Sequence, residues 1–380
     1  MIYELETHAY EKVRPVFKTL DHNLAVNSII AGLTRAKIYV DDPLNPRAAI
    51  TWTKHRVYLA GSTHNDGFNR AVDELFTAQI YPQNVAAGRS EFALYYAPDD
   101  WEEKIDVILR DKAPIKDQRQ YFVFKQLKHD WRSLIPEGFT MQPVDDELLA
   151  KTGLKNLDQL AAEMQSERHS VDDFLSKSFG FCLVHGDEIV AWCLSEYNSE
   201  HRCQVGIETL EGYRKRGLAT LTASALVEHA LSNGITTVGW HCWSSNHASA
   251  ATAKKVGFEK ARDYPVYYAL FDQVANLGLN GNVHFKQKRY REALRWYEKA
   301  FQRGKAPEWI YWNAACASAL IGERDPALNY LNQLIDHGFT DLELVKDSPH
   351  LESLHGTQGW KELLDKLAEI GRIPLTGVNE

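Results

Sequence analysis

The sequence predicts an α/β (α+β) region followed by an all-α, helical-repeat C-terminal domain, and three observations carry that expectation. From Val205 to Thr220 a short alternating strand runs straight into a basic, glycine-bearing turn and then a helix. Upstream, Phe181-Cys182-Leu183-Val184 and the run from Glu188 to Ser195 read as a hairpin around His185-Gly186-Asp187. Near the C-terminus Ala293, Tyr297 and Ala300 recur as Ala327, Leu331 and Leu334, an offset of 34 residues each time, which is the spacing of stacked helix pairs.

The length of 380 residues leaves room for two or three domains. Apolar residues make up 44% of the chain and charged ones 25%, an ordinary balance for a globular protein with packed cores. A formal net charge of −8 argues against nucleic-acid binding. The N-terminal residues lack a basic segment followed by an apolar run, and nowhere do ~18 apolar residues occur together, so no membrane partner and a cytoplasmic location are expected. Cys182, Cys193, Cys203, Cys242 and Cys316 are scattered and odd in number; they read as buried free thiols, with neither a disulfide framework nor a metal site.

Taken in order, residues 1–130 form the least legible region. Ile38-Tyr39-Val40, Ala49-Ile50-Thr51-Trp52 and Val57-Tyr58-Leu59-Ala60 predict successive strands. A helix around Phe68 to Ile80, a strand at Phe92 to Ala97 and a helix from Asp100 to Leu109 follow. Residues 131–272 open with a strand from Phe139 to Val144 and helical segments from Asp145 to Leu175, then the hairpin and the strand that ends at Thr209. Leu218, Leu221, Ala225, Leu226 and Ala230 then fall at helical spacing and stop at Asn233-Gly234, a pair suited to a left-handed C-cap. A strand from Ile235 to Trp243, Asn246 and a helix through Ala250, Ala253 and Val256 to Gly257-Phe258 complete the region. In residues 273–380, small residues at Ala293, Ala300 and Ala327 let helices approach closely, and a leucine-rich tail from Asp341 to Ile370 supplies capping helices.

The turn at 214–219 has the chemistry of a diphosphate cradle. The first turn of a helix offers unpaired N–H donors and the positive end of the helix dipole. Gly217 and Ala219 let the backbone approach phosphate oxygens, and Arg214 and Arg216 supply counter-charge. The plain alternative is an ordinary βαβ unit with a solvated basic loop.

The spacing Arg214-x-x-Gly217-x-Ala219, with the order strand, turn, helix, strand, Asn246, helix, Gly257-Phe258, resembles the acyl-CoA signature of the GNAT N-acetyltransferase superfamily. That resemblance implies acetyl-CoA as co-substrate, no metal, and contacts from Ile207, Thr209, Arg214, Lys215, Arg216, Gly217, Leu218, Ala219, Thr220 and Asn246. The N-terminal region loosely mirrors the same fold without the Arg-x-x-Gly-x-Gly/Ala turn, which points to a cofactor-free half like that of acetyltransferases similar to the zwittermicin self-resistance enzyme. A single unrelated α+β domain is the alternative. The 34-residue offset resembles tetratricopeptide repeats.

Direct transfer requires a base for the incoming ammonium, a donor for the oxyanion and a proton for the leaving thiolate. Glu208 is the expected base, because it points away from Cys203, Val205 and Ile207 next to the cofactor end of its strand; the bland reading is a polar residue on a solvated face, and Glu196 is the reserve. Many relatives carry a tyrosine seven residues after the Asn at the position of Asn246, where this chain has Ala253. Tyr264, Tyr267, Tyr268 and Ser249 are conceivable substitutes, although aromatic strand residues are more often core. His241 and His247 read as packing residues. The expected function is N-acetylation of a small primary amine. A protein or peptide amine recruited by the repeats, and a degenerate CoA-binding scaffold, are the rivals.

Overall fold

The computed structural model describes residues 1–370; residues 371–380, the end of the expected C-terminal domain, lie outside the described residues. It divides into two compact units, one running from Met1 to Tyr268 except for 88–91 and 111–115, the other made of those two short segments and the chain from Ala269 onward.

The first unit is built on one sheet. Its strands are β1 (Tyr3–Glu4), β2 (Ile38–Val40), β3 (Ala48–Thr53), β4 (Arg56–Gly61), β5 (Glu91–Ala97), β6 (Ile115–Phe124), β7 (Phe139–Pro143), β8 (Gly180–His185), β9 (Glu188–Ser199), β10 (Arg202–Thr209), β11 (Thr237–Trp243) and β12 (Phe258–Leu270). Their spatial order is β1-β2-β3-β4-β5-β12-β6-β11-β10-β9-β8-β7. The expected strands are present, and the predicted hairpin is β8 against β9. β4 pairs in parallel with β5, and β10 with β11.

The sequence did not announce β6. Lys116, Asp117, Gln118, Arg119 and Gln120 look like loop residues, and the strand forms because β11 pairs with it from Arg119 to Val123. The aromatic last strand, β12, lies between β5 and β6. The final strands of the two halves therefore cross over, and one sheet runs through both.

Helices cover the two faces. The N-terminal part contributes α1 (Leu24–Ile30), α2 (Asp66–Leu75), α3 (Tyr81–Ala86) and α4 (Ile105–Ile108). The single helix expected over 68–80 is α2 followed by a wide turn at Phe76–Ile80 and then α3; Pro82 lacks the N–H that a regular turn needs there. The expected 100–109 helix is a 3-10 turn, Asp99–Lys104, leading into α4. The later part adds α5 (Asp146–Leu149), α6 (Leu157–Glu167), α7 (Val171–Lys177), α8 (Leu218–Ser232) and α9 (His247–Val256). Leu218, Leu221, Ala225, Leu226 and Ala230 of α8 are all buried, and Gly234 takes the left-handed conformation that ends the helix.

One face of the sheet packs Cys203, Val205, Trp240, Cys242 and Phe122 with residues of α8 and α9. The other carries Tyr58, Tyr95, Tyr197 and Tyr264 against α1 and, nearer the β7 edge, Trp192 and Leu194 against α6 and α7. All five cysteines are free and buried.

The second unit is helical: α10 (Gln273–Lys286), α11 (Tyr290–Arg303), α12 (Glu308–Leu320), α13 (Arg324–Asp336), α14 (Leu342–Asp347) and α15 (Gln358–Ile370). Ala293, Tyr297 and Ala300 on α11 and Ala327, Leu331 and Leu334 on α13 are buried in its core. Gly281 lies inside α10, where the Tyr297 ring takes the space a side chain would fill. Among the described residues no helix is long and apolar enough to cross a membrane.

Candidate active site

The site is a fork in the sheet. β10 and β11 pair in parallel from Arg202 with Thr237 to Val205 with Trp240. Beyond that couple β10 continues to Thr209 against β9, and β11 continues to Trp243 against β6. The edge of β10 from Gly206 to Thr209 that faces the gap therefore carries backbone groups without a strand partner, which is where an extended ligand pairs with main chain.

A cavity of about 560 Å3 opens from this fork, within the range of a cofactor-sized cleft. Its lining includes Ile207, Glu208, Thr209, Arg214, Lys215, Gly217, Leu218, Ala219, Thr220 and Asn246. Arg216 alone among the expected contacts is not part of that lining: it donates to the Gly212 carbonyl at 3.2 Å, and its guanidinium lies 5.2 Å from the centre of the Tyr213 ring. Tyr213, Ala248, Ser249, Ala251, Thr252 and Lys255 complete the wall.

The turn is built for an anion. Gly217 is the N-cap of α8 with φ +80°, and nothing lies within 4 Å of where its Cβ would stand. The amides of Thr220 and Leu221 turn back to the Gly217 carbonyl, while those of Leu218 and Ala219 precede the first intrahelical bonds. Thr209 Oγ1 is buried and has no hydrogen-bond partner, an orphaned group in the wall of the cavity. These features fit an acyl-CoA, whose diphosphate the head of α8 would hold and whose pantetheine amide the free edge of β10 would pair.

Glu208 lies at the rim rather than at the foot of the fork. It is exposed and paired with Arg214 at 3.3 Å. Glu196 occupies the foot. It is the extra residue of a bulge in β9, where the register steps from Gln204 opposite Tyr197 to Val205 opposite Ser195. A Cβ on Gly206 would stand 2.4 Å from its Oε1, so glycine is what lets this carboxylate lie over β10. Arg56 of β4 pairs with Glu196 at 3.5 Å and with Glu167 of α6 at 2.6 Å, and Tyr197 donates its hydroxyl to Glu167. Burial pushes the Glu196 carboxyl up, and Arg56 restrains that rise. Glu163 on α6 is raised to about 7, first by burial and then by Glu196, Glu167 and Glu208.

The remaining candidates separate. Ala253 is fully buried under the sheet and can donate nothing. Tyr264 donates to or accepts from His241 Nδ1 at 2.7 Å, and His241 Nε2 faces Gln204 at 2.7 Å; burial drives the imidazole well below its ordinary range. That network ties β11 and β12 to the His22 carbonyl ahead of α1. Tyr267 stands beside Tyr96 and Tyr268 beside Trp243. Ser249 is the one of the four hydroxyl candidates in the cavity wall, with its Oγ accepting from Trp240 Nε1 at 3.0 Å. Asn246 caps α9 through its side chain, which accepts from Ser249 N at 3.0 Å. Arg56 and Glu163 escaped sequence reasoning because each is a lone charge in an unremarkable stretch, brought to the fork only by the sheet.

The fork, the anion turn and the order of elements define an acyl-CoA-dependent acyltransferase site. A family model described as GNAT acetyltransferase matches residues 14–267, and the chain belongs to that family. It is 28% identical over 270 residues to YdfB, an uncharacterised N-acetyltransferase of Bacillus subtilis (strain 168), across 71% of this chain and 99% of that protein. Its fold matches that of a GCN5-related N-acetyltransferase-like protein from Streptococcus suis 89/1591 with a TM-score of 0.50 at 21% identity, over 68% of this chain and 98% of that one. A GCN5-related N-acetyltransferase from Sphaerobacter thermophilus aligns at 11% identity and TM-score 0.48, over 71% and 95% of the two chains. The protein is thus an acetyltransferase of GNAT type with an added helical unit.

Proposed function

We propose that the protein transfers the acetyl group of acetyl-CoA to the primary amine of a small molecule. The observation that supports this reading most is the open fork beside an intact anion turn, with a bulged, half-buried carboxylate at its foot. The expected base, Glu208, is engaged by Arg214; Glu196 has the better position and the raised basicity that removing a proton from an ammonium needs. Glu196 accepts that proton, directly or through one water. The amine nitrogen then bonds to the acetyl carbon as the carbon–sulfur bond breaks, amides of β10 face the carbonyl oxygen, and the surplus proton on that nitrogen passes to the sulfur through Ser249, which takes it up as it gives its own hydroxyl proton. Glu196 lies beside Glu163 and Glu167 of α6, a covered position that favours a small acceptor over a polypeptide. We read the second unit as tetratricopeptide-like, on the α11 and α13 correspondence, with a protein partner as its outcome to test.

Titration calorimetry with acetyl-CoA tests the site, followed by thiol release against a panel of small amines and amine-bearing peptides. The wild type is expected to bind saturably and to release thiol with small amines. The double variant Arg214→Ala, Gly217→Ala is expected to lose binding; unchanged affinity would sink the pocket assignment. Turnover only with peptides, and its loss on removal of residues 275–380, would favour recruitment by the repeats.

A further inference from the structure

One half-buried cation at the fork is left over by the transfer chemistry. Arg119 on β6 stands opposite Trp243, the last residue of β11. Its guanidinium lies 5.0 Å from the centre of a Trp243 ring and 5.8 Å from that of Tyr95, and Nη1 donates to the Tyr95 hydroxyl at 2.8 Å. Its Nε is buried without a hydrogen-bond partner. Among the described residues no carboxylate forms an ion pair with it, whereas the neighbouring Arg56 takes both Glu167 and Glu196.

An arginine keeps its charge under protein conditions. A guanidinium withdrawn from water without a counter-ion is costly, and aromatic faces offset only part of that. A planar set of unused N–H donors between aromatic walls is the geometry that recognises a carboxylate or phosphate. Its place in the fork says whose anion that would be. Trp243 stands three residues beyond the last paired couple on one arm and Glu208 three residues beyond it on the other. Glu196 is at the foot between them, and Arg119 is outside the cavity that ends in the anion turn. The cofactor's phosphates are thereby already provided for. Across the fork from Glu196, Arg119 is left for a negative group on the acceptor.

We propose that the acceptor is a small amine that also carries an anionic group, a carboxylate or a phosphate, held by Arg119 against Trp243 while its amine meets Glu196. The proposal rests on the acetyltransferase reading above. It assigns Arg119 to substrate binding and gives the enzyme a preference for amino-acid-like molecules over plain amines.

Matched acceptors test it: a series of α- and ω-amino acids, the amines that lack their carboxylate, and aminoalkyl phosphates, each assayed by thiol release from acetyl-CoA. Wild type is compared with Arg119→Gln and Arg119→Lys, and acetyl-CoA affinity is measured calorimetrically for all three. Anionic acceptors are expected to exceed their neutral counterparts by roughly 30-fold or more in kcat/KM, the equivalent of about 2 kcal/mol. Arg119→Gln is expected to erase that ratio through KM, with Arg119→Lys intermediate and acetyl-CoA affinity unchanged in both. Whether carboxylates or phosphates lead identifies the anion. Neutral amines reacting as well as anionic ones, a preference that survives Arg119→Gln, or a protein that binds acetyl-CoA yet turns over no anionic amine would each overturn the assignment. Failure of the wild type to bind acetyl-CoA would instead overturn the acetyltransferase site, and this inference with it.

Discussion

Replacing Glu163 by Gln is expected to make the protein more stable at pH 8. Glu163 sits on α6 within the field of Glu196, Glu167 and Glu208, and burial with that repulsion raises its carboxyl to about 7 from an ordinary 4.5. Between those values the folded chain binds a proton that the unfolded chain has released. Stability therefore falls as pH rises from 4.5 through 7, and above 7 the full penalty is present. At a little over 1 kcal/mol per pH unit the gap sets an upper figure of about 3 kcal/mol, and partial exposure of the side chain lowers the expected value to about 2 kcal/mol. Glu163→Gln removes the charge and with it the penalty. Urea unfolding of both proteins at pH 8 and pH 5 reads the difference, and taking variant against wild type cancels the common contribution of the helical unit. A gain of about 2 kcal/mol at pH 8 that shrinks at pH 5 is the expected result. No gain at pH 8, or the same gain at both, would refute the crowding of carboxylates at the fork. Retaining such a group at a cost in stability is what an active site does.

Gly206→Ala brings a methyl against Glu196 Oε1, 2.4 Å from its present position, so thiol release is expected to fall by at least roughly tenfold, as for a displaced general base, with acetyl-CoA affinity retained. The check is calorimetry beside a steady-state assay. In the helical unit, a Cβ on Gly281 would stand 2.2 Å from the Tyr297 ring; Gly281→Ala is expected to cost about 1–3 kcal/mol by overpacking, visible as an earlier thermal transition with the kinetics of the fork unaltered.

Local patterns carry much of this protein. The alternation of Cys203 to Glu208, the turn from Arg214 to Ala219 and the spacing of Leu218 to Ala230 are each dictated by neighbours within one or two turns of chain, and they appear as β10, the anion cradle and α8. The 34-residue echo between Ala293 and Ala327 is legible for the same reason, since each helix pair repeats one packing problem. The proposed base was harder to place. Periodicity set Glu208 on the face opposite Val205 and Ile207 but said nothing of depth, and the bulge that seats Glu196 over Gly206 is a property of two paired strands. Arg119 sits in a run that reads as loop, and it becomes a strand residue only because β11 supplies hydrogen bonds and Trp243 and Tyr95 supply walls. By itself the sequence determined the fold class, the anion turn and the helical tail, because local hydrogen bonding and periodicity encode them. Only the tertiary structure decided which charges meet at the fork, because Arg56, Arg119, Glu163 and Glu196 are distant in sequence and the crossed final strands alone bring them within each other's field.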